Sequence, residues 1–125
     1  MLLHGQPGSA SDWQLVTDRL PATLGVVALD RPGYGTSQQP AGGFGYGARA
    51  VLAELDARGI GRTVLVGHSY GGGVALAVAQ QAPERVEALV LLASVGGYFV
   101  YKKTQQSRAE QDLWAEAVDP VTPGR

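Results

Sequence analysis

Five residues near the middle of the chain have the types and spacing of a turn that presents a nucleophile. Gly67-His68-Ser69-Tyr70-Gly71 follows the apolar run 64–66 and precedes small residues compatible with a helix. On a sharp strand-to-helix turn a serine hydroxyl projects outward, and flanking glycines keep Cβ atoms away from the point where the two backbones nearly touch. The pattern predicts Ser69 as a nucleophile, with Gly67 and Gly71 as the glycines that its turn requires. The alternative is a serine that only caps the helix.

The segments around this turn alternate between strands and helices. Short apolar runs predict strands at 2–3, 26–29, 63–66 and 86–93. Helical spacing predicts a helix from a capping box at Ser11 and Gln14 to Pro21, a second with Ala48, Val51, Leu52 and Leu55 on one face, and a third over 70–82. This alternation predicts the α/β fold class, with a mostly parallel sheet and helices on both faces. The last apolar run is typical of a strand covered on both faces.

Polar loops follow three of the predicted strands, at His4-Gly5, Asp30-Arg31 and His68-Ser69. The carboxyl ends of parallel strands meet at one edge of a sheet, so these loops are expected to converge. Asp30 is expected to hydrogen-bond the backbone of its own turn, as aspartate commonly does. Trp13 lies at helical spacing and is expected to pack in the core before it contacts any substrate.

Composition excludes several classes of function. The chain has 125 residues, 45% of them hydrophobic, which suits one globular domain. Its net charge of −1 gives no basic surface for nucleic acid. It has no cysteine, hence no disulfide and no thiolate metal site. No signal peptide or membrane span is recognisable, so we expect a soluble, cytoplasmic protein. We also expect it to need neither a metal nor a cofactor.

Three motifs resemble the amino-terminal half of the catalytic domain of α/β-hydrolases, in the branch of small esterases and lyase-like hydrolases. The segment 4–8 resembles the His-Gly oxyanion loop of that family, 30–37 resembles its Asp-x-x-Gly-x-Gly-x-Ser loop, and 67–71 resembles its nucleophile elbow. The resemblance covers residues 1–97 and implies a partial α/β-hydrolase fold containing the family's third to sixth strands. It places the first strand of this chain between the second and third. Residues 98–125 would begin the cap or the next core helix.

The resemblance also implies roles for the groups around the serine. His4 and Gly5 would shape the oxyanion loop, and the backbone N–H of Gln6 would donate to the oxyanion of an acyl-transfer intermediate. The second donor would be the N–H of Tyr70, at the start of a helix where the macrodipole also favours negative charge. The alternative for this loop is a plain Gly-Pro turn.

The base and acid that a serine hydroxyl needs are not found in this sequence. His4 has a role in the loop, and His68 is expected to project away from the neighbouring Ser69. In the resembled family the acid and then the histidine follow the serine, on loops after later strands. We therefore expect a truncated member of the family.

The sequence predicts a serine hydrolase that acts on a small ester, acyl or C–C substrate through an acyl-enzyme at Ser69. The alternative is a non-catalytic fragment that binds or self-associates through exposed edge strands. Nucleotide binding is disfavoured, because the serine interrupts the dinucleotide fingerprint and no P-loop lysine follows a glycine-rich turn.

Overall fold

The computed structural model describes residues 1–94, in which strands and helices alternate along the chain. The strands are β1 (Leu2–Leu3), β2 (Ala28–Leu29), β3 (Thr63–His68) and β4 (Val86–Leu92). The helices are α1 (Gln14–Thr17), α2 (Phe44–Ala57) and α3 (Tyr70–Gln81), with 3₁₀ turns at Ala10–Trp13 and Pro83–Arg85. The segment 98–125, predicted to begin a cap or the next core helix, lies outside the described residues.

The strands pair in parallel in the order β2-β1-β3-β4. This order confirms the predicted α/β class, the parallel sheet and the position of the first strand between the second and third. Within residues 1–94, β2 and β4 are the edge strands, as predicted. Because all the strands run in the same direction, the loops after Leu3, Leu29 and His68 meet at one edge of the sheet.

One face of the sheet is covered by α2 and α3. Leu3 and Leu65 point to this face and are fully buried against apolar side chains of the two helices. The helix residues in this core are Ala48, Val51, Leu55, Val74, Ala75 and Val78. The α2 members of this core lie three and four positions apart, the spacing that places side chains on one helix face. This packing holds the amino end of α3 directly behind β3.

The opposite face of the sheet carries the 3₁₀ turn and α1. Side chains alternate along a strand, so Val64 and His68 point away from the face that holds Leu65. Trp13 packs on this side and is only 6% exposed. Val64, Val90 and Leu92 remain 37–44% exposed there. Helices therefore lie on both faces, as predicted, but the second face is only partly covered by residues 1–94.

The first helix begins and ends differently from the prediction. Its N-cap is Ser9, whose backbone N–H donates to the Asp12 carboxylate over 3.2 Å. The predicted capping box at Ser11 and Gln14 is wrong, because the Gln14 amide instead donates to Asp18, one helical turn further on. The α-helix also stops at Thr17, before the predicted end at Pro21.

The outer strands differ from the prediction in length and cover. The strand predicted over 26–29 is reduced to Ala28–Leu29, because it pairs only with the two residues of β1. The last strand was expected to be covered on both faces. That expectation is wrong for the described part of the chain, where most of β4 is exposed because the packed helices reach only one side of it.

Candidate active site

Ser69 is the single residue between the end of β3 and the start of α3. Its backbone has φ 51° and ψ −117°, a conformation that residues with a Cβ rarely adopt and that costs about 1–3 kcal/mol. Its N–H donates to the carbonyl of Leu92 over 2.9 Å, and its carbonyl accepts the N–H of Gly72 over 3.0 Å. Its side chain makes no capping hydrogen bond to α3. The neighbouring backbone therefore holds the turn, and the hydroxyl takes no part in capping.

The glycines of the turn stand where backbones nearly touch. A Cβ on Gly67 would lie 2.5 Å from the Cα of Gly72, at the start of α3. A Cβ on Gly71 would lie 2.2 Å from the carbonyl oxygen of Leu3 and 2.6 Å from that of His4. The amino end of α3 thus packs directly on the end of β1, which fixes where Ser69 stands relative to the loop that follows β1.

The loop after β1 reaches the serine. A Cβ on Gly5 would lie 3.3 Å from the Cβ of Ser69 and 2.9 Å from Nδ1 of His68. Gln6 follows in the same loop and is exposed. Tyr70 is the first residue of α3, so its N–H has no partner within the helix. The two predicted oxyanion donors therefore belong to segments that meet at Ser69.

His4 is buried, and both of its ring nitrogens are used. Nε2 accepts the backbone N–H of Arg31 over 3.0 Å, so the ring proton lies on Nδ1, which donates to the carbonyl of Gly5 over 2.8 Å. Burial lowers the pKa of His4, which keeps the ring neutral. Among residues 1–94 no hydrogen bond joins the Ser69 hydroxyl to His4 or His68. His4 is arranged to order the loop.

Arg31 is a buried cation at the same edge of the sheet. It is 3% exposed, and its Nε and Nη2 donate to the carbonyls of His4 and Gly5, each over 2.8 Å. Its guanidinium carbon lies 4.8 Å from the ring centre of Tyr34 and 4.7 Å from that of Tyr70. Burial lowers its pKa, yet an arginine stays protonated at neutral pH.

Asp30 joins two loops. Its carboxylate accepts the backbone N–H of Ala10 over 2.7 Å, and the N–H and hydroxyl of Thr36 over 2.9 Å each. These hydrogen bonds, that of Ala10 first, lower the pKa of Asp30. Gly35 turns beside this carboxylate at φ +55°, where a side chain would collide with it. The bonds to Thr36 confirm that Asp30 binds its own turn, and the bond to Ala10 extends its role to the start of the first helical segment.

A cavity of about 340 Å³ lies next to these loops, on the α1 side of the sheet. Its lining residues are His4, Asp12, Trp13, Val16, His68 and Leu92. The Trp13 side chain is buried as predicted, and its indole N–H has no hydrogen-bond partner in the part of the chain described. A larger groove of about 590 Å³ runs along β2 and α2, away from Ser69. Within residues 1–94, no three His, Asp or Glu side chains are grouped so as to hold a metal ion.

The family described as "alpha/beta hydrolase fold" matches residues 1–121 of this sequence. The chain belongs to the alpha/beta hydrolase fold family. A similar alpha/beta hydrolase is the 2-hydroxymuconate semialdehyde hydrolase of Pseudomonas putida, 48% identical over 107 residues, which are 79% of this chain and 37% of that protein. The dihydrolipoyllysine-residue acetyltransferase component of an acetoin cleaving system, also from Pseudomonas putida, is 42% identical over 98 residues, 77% of this chain and 26% of that protein.

Solved structures of alpha/beta hydrolases agree with this membership. The 2-hydroxy-6-oxo-6-phenylhexa-2,4-dienoate hydrolase of Rhodococcus sp. strain RHA1 superposes with a TM-score of 0.69 at 32% identity, covering 75% of this chain and 37% of that one. The chain spans only 26–38% of the length of curated relatives such as these. Within residues 1–94, no helix is long and apolar enough to cross a membrane.

The structure adds Arg31, Tyr34 and the ring of Tyr70 to the groups around the site. The sequence indicated only that Arg31 lies in a loop that follows a strand. An arginine in a polar loop is usually exposed, and nothing in the pattern shows that this guanidinium turns inward onto two carbonyls.

Acid should weaken the fold in part through His4. Since burial places the folded-state pKa of His4 below its unfolded value of about 6.5, the folded state binds fewer protons. The contribution of neutral His4 to the free energy of unfolding is therefore complete above about pH 6.5 and is lost as the pH falls through the lower folded-state pKa. Urea unfolding between pH 7.5 and 5 should show the loss in the wild type and a flatter dependence in His4→Gln. Equal slopes in the two proteins would contradict this assignment.

Proposed function

We propose that Ser69 is the nucleophile of a serine hydrolase that cleaves a small ester, acyl or C–C substrate through an acyl-enzyme. The observation that carries the proposal is the backbone of Ser69, held at φ 51° and ψ −117° with its side chain not used as a cap. Backbone strain of this kind persists where surrounding structure enforces it, and it is concentrated at functional sites. Here the close approaches of Gly67 and Gly71 enforce it.

The proposed oxyanion site consists of the N–H groups of Tyr70 and Gln6. The start of α3 favours negative charge at Tyr70, and the packing of Gly5 against Ser69 brings the Gln6 segment to the same place. Loss of one such donor typically lowers the rate by about 10² to 10³. These contacts support acyl transfer. The relatives named as hydrolases of 2-hydroxymuconate semialdehyde and of 2-hydroxy-6-oxo-2,4-heptadienoate support a small-molecule substrate.

A general base for Ser69 would come from residues other than the two histidines. His4 uses both ring nitrogens in the loop, and His68 points to the opposite face of the sheet from α3. The alpha/beta hydrolase order places the acid and the histidine after later strands. In this proposal residues 1–94 supply the nucleophile and the oxyanion site, and the base comes from residues outside that range.

The 125-residue chain alone should hydrolyse a chromogenic short-chain ester slowly. General-base assistance is worth about 10² to 10⁴, whereas the oxyanion site and binding alone leave roughly 10³ to 10⁴ over water. We expect a rate well below about 1 s⁻¹, the low end of usual enzyme turnover. The assay compares the wild type with Ser69→Ala, His4→Ala and His68→Ala. If turnover exceeds that rate and Ser69→Ala abolishes it, the chain itself contains a general base for Ser69. Loss of that turnover in one of the two histidine variants would identify that histidine as the base.

Self-association is the second candidate function. The observation that favours it is the exposed apolar strand at the edge of the sheet, where Val90, Leu91 and Leu92 are 36–44% exposed. An exposed edge strand presents unpaired backbone N–H and C=O groups, which can pair with a strand of another chain. We propose that the chain associates through β4 at tens of micromolar, roughly the range in which such surfaces aggregate.

Light scattering tests this association. Val90→Lys should shift the chain toward monomer, because a charge on an apolar edge strand opposes pairing. Leu24→Lys is the matched control, since Leu24 is also exposed, at 55%, but lies outside the sheet. A wild-type chain that is a clean, stable monomer would rule out this function.

A further inference from the structure

We propose that Arg31 is a positioning residue of the oxyanion site, which aims the Gln6 N–H and joins its loop to the turn of Ser69. The proposal rests on the function proposed above for Ser69. Arg31 touches no reacting atom in this scheme. It acts through the peptide units that its guanidinium holds.

The geometry of one peptide unit carries the argument. The carbonyl of Gly5 and the N–H of Gln6 belong to the same peptide, which is trans. In a planar trans peptide the C=O and the N–H point in opposite directions, so fixing one fixes the other. The Gly5 carbonyl accepts two hydrogen bonds of 2.8 Å, from Nη2 of Arg31 and from Nδ1 of His4. The direction of the Gln6 N–H is therefore set by Arg31 and His4.

A charged donor does more than orient this peptide. Hydrogen bonds from an ionised group are shorter and stronger than neutral ones, and hydrogen bonds in a chain polarise one another. A guanidinium on the Gly5 carbonyl draws electron density toward that oxygen and makes the Gln6 N–H a better donor. Arg31 also donates to the carbonyl of His4 over 2.8 Å, so two successive peptides of the loop share one cation.

The same guanidinium reaches the other half of the proposed site. Its guanidinium carbon lies over the rings of both Tyr34 and Tyr70, 4.8 Å and 4.7 Å from their centres. Tyr70 provides the second proposed donor, and its ring lies 4.5 Å from that of Phe44, at the start of α2. Arg31 thus connects the segment of Gln6 to the segment of Tyr70 through contacts made by one side chain.

Across residues 1–94 the guanidinium of Arg31 forms no ion pair with an acidic side chain, although it is 3% exposed. Burying a cation without a counter-ion is costly unless other groups compensate for the lost hydration. Two carbonyls and two aromatic faces do so here. The guanidinium lies across the Gly5–Gln6 peptide from the place where the Gln6 N–H would meet the oxyanion, so its charge acts through the polarised peptide.

Arg85 provides a matched control within the same chain. It also donates to two successive carbonyls of a loop, those of Gly61 over 2.7 Å and Ile60 over 2.8 Å, but it pairs with Asp56 and lies at the opposite end of the sheet from Ser69. Arg85→Gln removes a comparable structural arginine. It leaves the loop of Gln6 untouched.

The test uses the 125-residue chain and two readouts, the amide proton shift of Gln6 and the binding of phenylboronic acid followed by ¹¹B NMR. The trigonal boron accepts a lone pair of the Ser69 oxygen, the hydroxyl proton passes to water, and a tetrahedral anion forms that resembles the acyl-transfer intermediate. In Arg31→Gln we expect the Gln6 resonance to move upfield and the affinity to fall at least about tenfold, as for loss of one charge-assisted hydrogen bond. Arg31→Lys keeps the charge but cannot span both carbonyls, so it should be intermediate.

Two outcomes would overturn the proposal. One is an Arg31→Gln protein that is folded, with the Gln6 shift and the affinity of the wild type. The other is an equal loss in Arg85→Gln. If Arg31→Gln does not fold, the same two readouts on Arg31→Lys decide. Failure of the wild type to bind phenylboronic acid, or binding that survives Ser69→Ala, would count against Ser69 as the nucleophile, while the Gln6 shift would still decide the role of Arg31.

Discussion

Gly71→Ala should lower the free energy of unfolding by about 3 kcal/mol or more, a large part of the 5–15 kcal/mol that holds a typical domain together. The added Cβ would lie 2.2 Å from the carbonyl oxygen of Leu3 and 2.6 Å from that of His4. Both obstacles are backbone atoms, which cannot rotate away as a side chain does. Relief requires α3 to move off β1, which would also separate Ser69 from the loop of Gln6. Urea unfolding followed by circular dichroism measures the effect.

Gly45→Ala is the control for this prediction. Gly45 is the second residue of α2, as Gly71 is of α3. A Cβ there would meet the Gln81 amide nitrogen at 3.6 Å and Nη1 of Arg49 at 3.9 Å, both ordinary contacts with the ends of flexible side chains. Alanine in a helix is favoured over glycine by up to about 1 kcal/mol, so this variant should be as stable as the wild type or more so. Similar losses in both variants would mean that the close approach to β1 is not the cause.

Sequence patterns were sufficient to predict the alternating strands and helices and the meeting of three loops, and the resemblance to α/β-hydrolases predicted the order of the strands in the sheet. Apolar runs and helical spacing located β1, β3, α2 and α3, because the patterns of buried strands and amphipathic helices are strong there. The glycines of 67–71 carried the most information. Their spacing reflects a steric requirement that only the absence of a Cβ satisfies, and the close approaches of Gly67 and Gly71 show that requirement directly.

Local sequence patterns predicted the structure less well where contacts distant in the chain determine it. The N-cap of the first helical segment is Ser9, because the Asp12 carboxylate reaches its N–H. In the sequence alone, Ser11 with Gln14 is an equally good capping pattern. The inward turn of Arg31 depends on carbonyls of His4 and Gly5, some 26 residues away along the chain. The exposure of β4 depends on which elements reach it, and its apolar composition alone does not show that.

Ser69→Ala should abolish turnover in a protein that supplies the acid and base. Such a protein is a chimera in which residues 1–94 replace the aligned segment of the Pseudomonas putida 2-hydroxymuconate semialdehyde hydrolase. Loss of a serine nucleophile that acts together with a base costs on the order of 10⁴-fold or more in rate. The matched control is Ser37→Ala, which removes a hydroxyl from the loop after β2 that bonds only the backbone N–H of Gln39 within residues 1–94.

The most direct test of the account is the turnover of a chromogenic short-chain ester by this chimera, measured with serine or alanine at position 69. We expect enzyme-like turnover that Ser69→Ala lowers by at least about 10⁴-fold and that Ser37→Ala leaves within about threefold of the unsubstituted chimera. Turnover that survives Ser69→Ala in a folded chimera would contradict it, because the strained turn of Ser69 would then have a structural purpose alone.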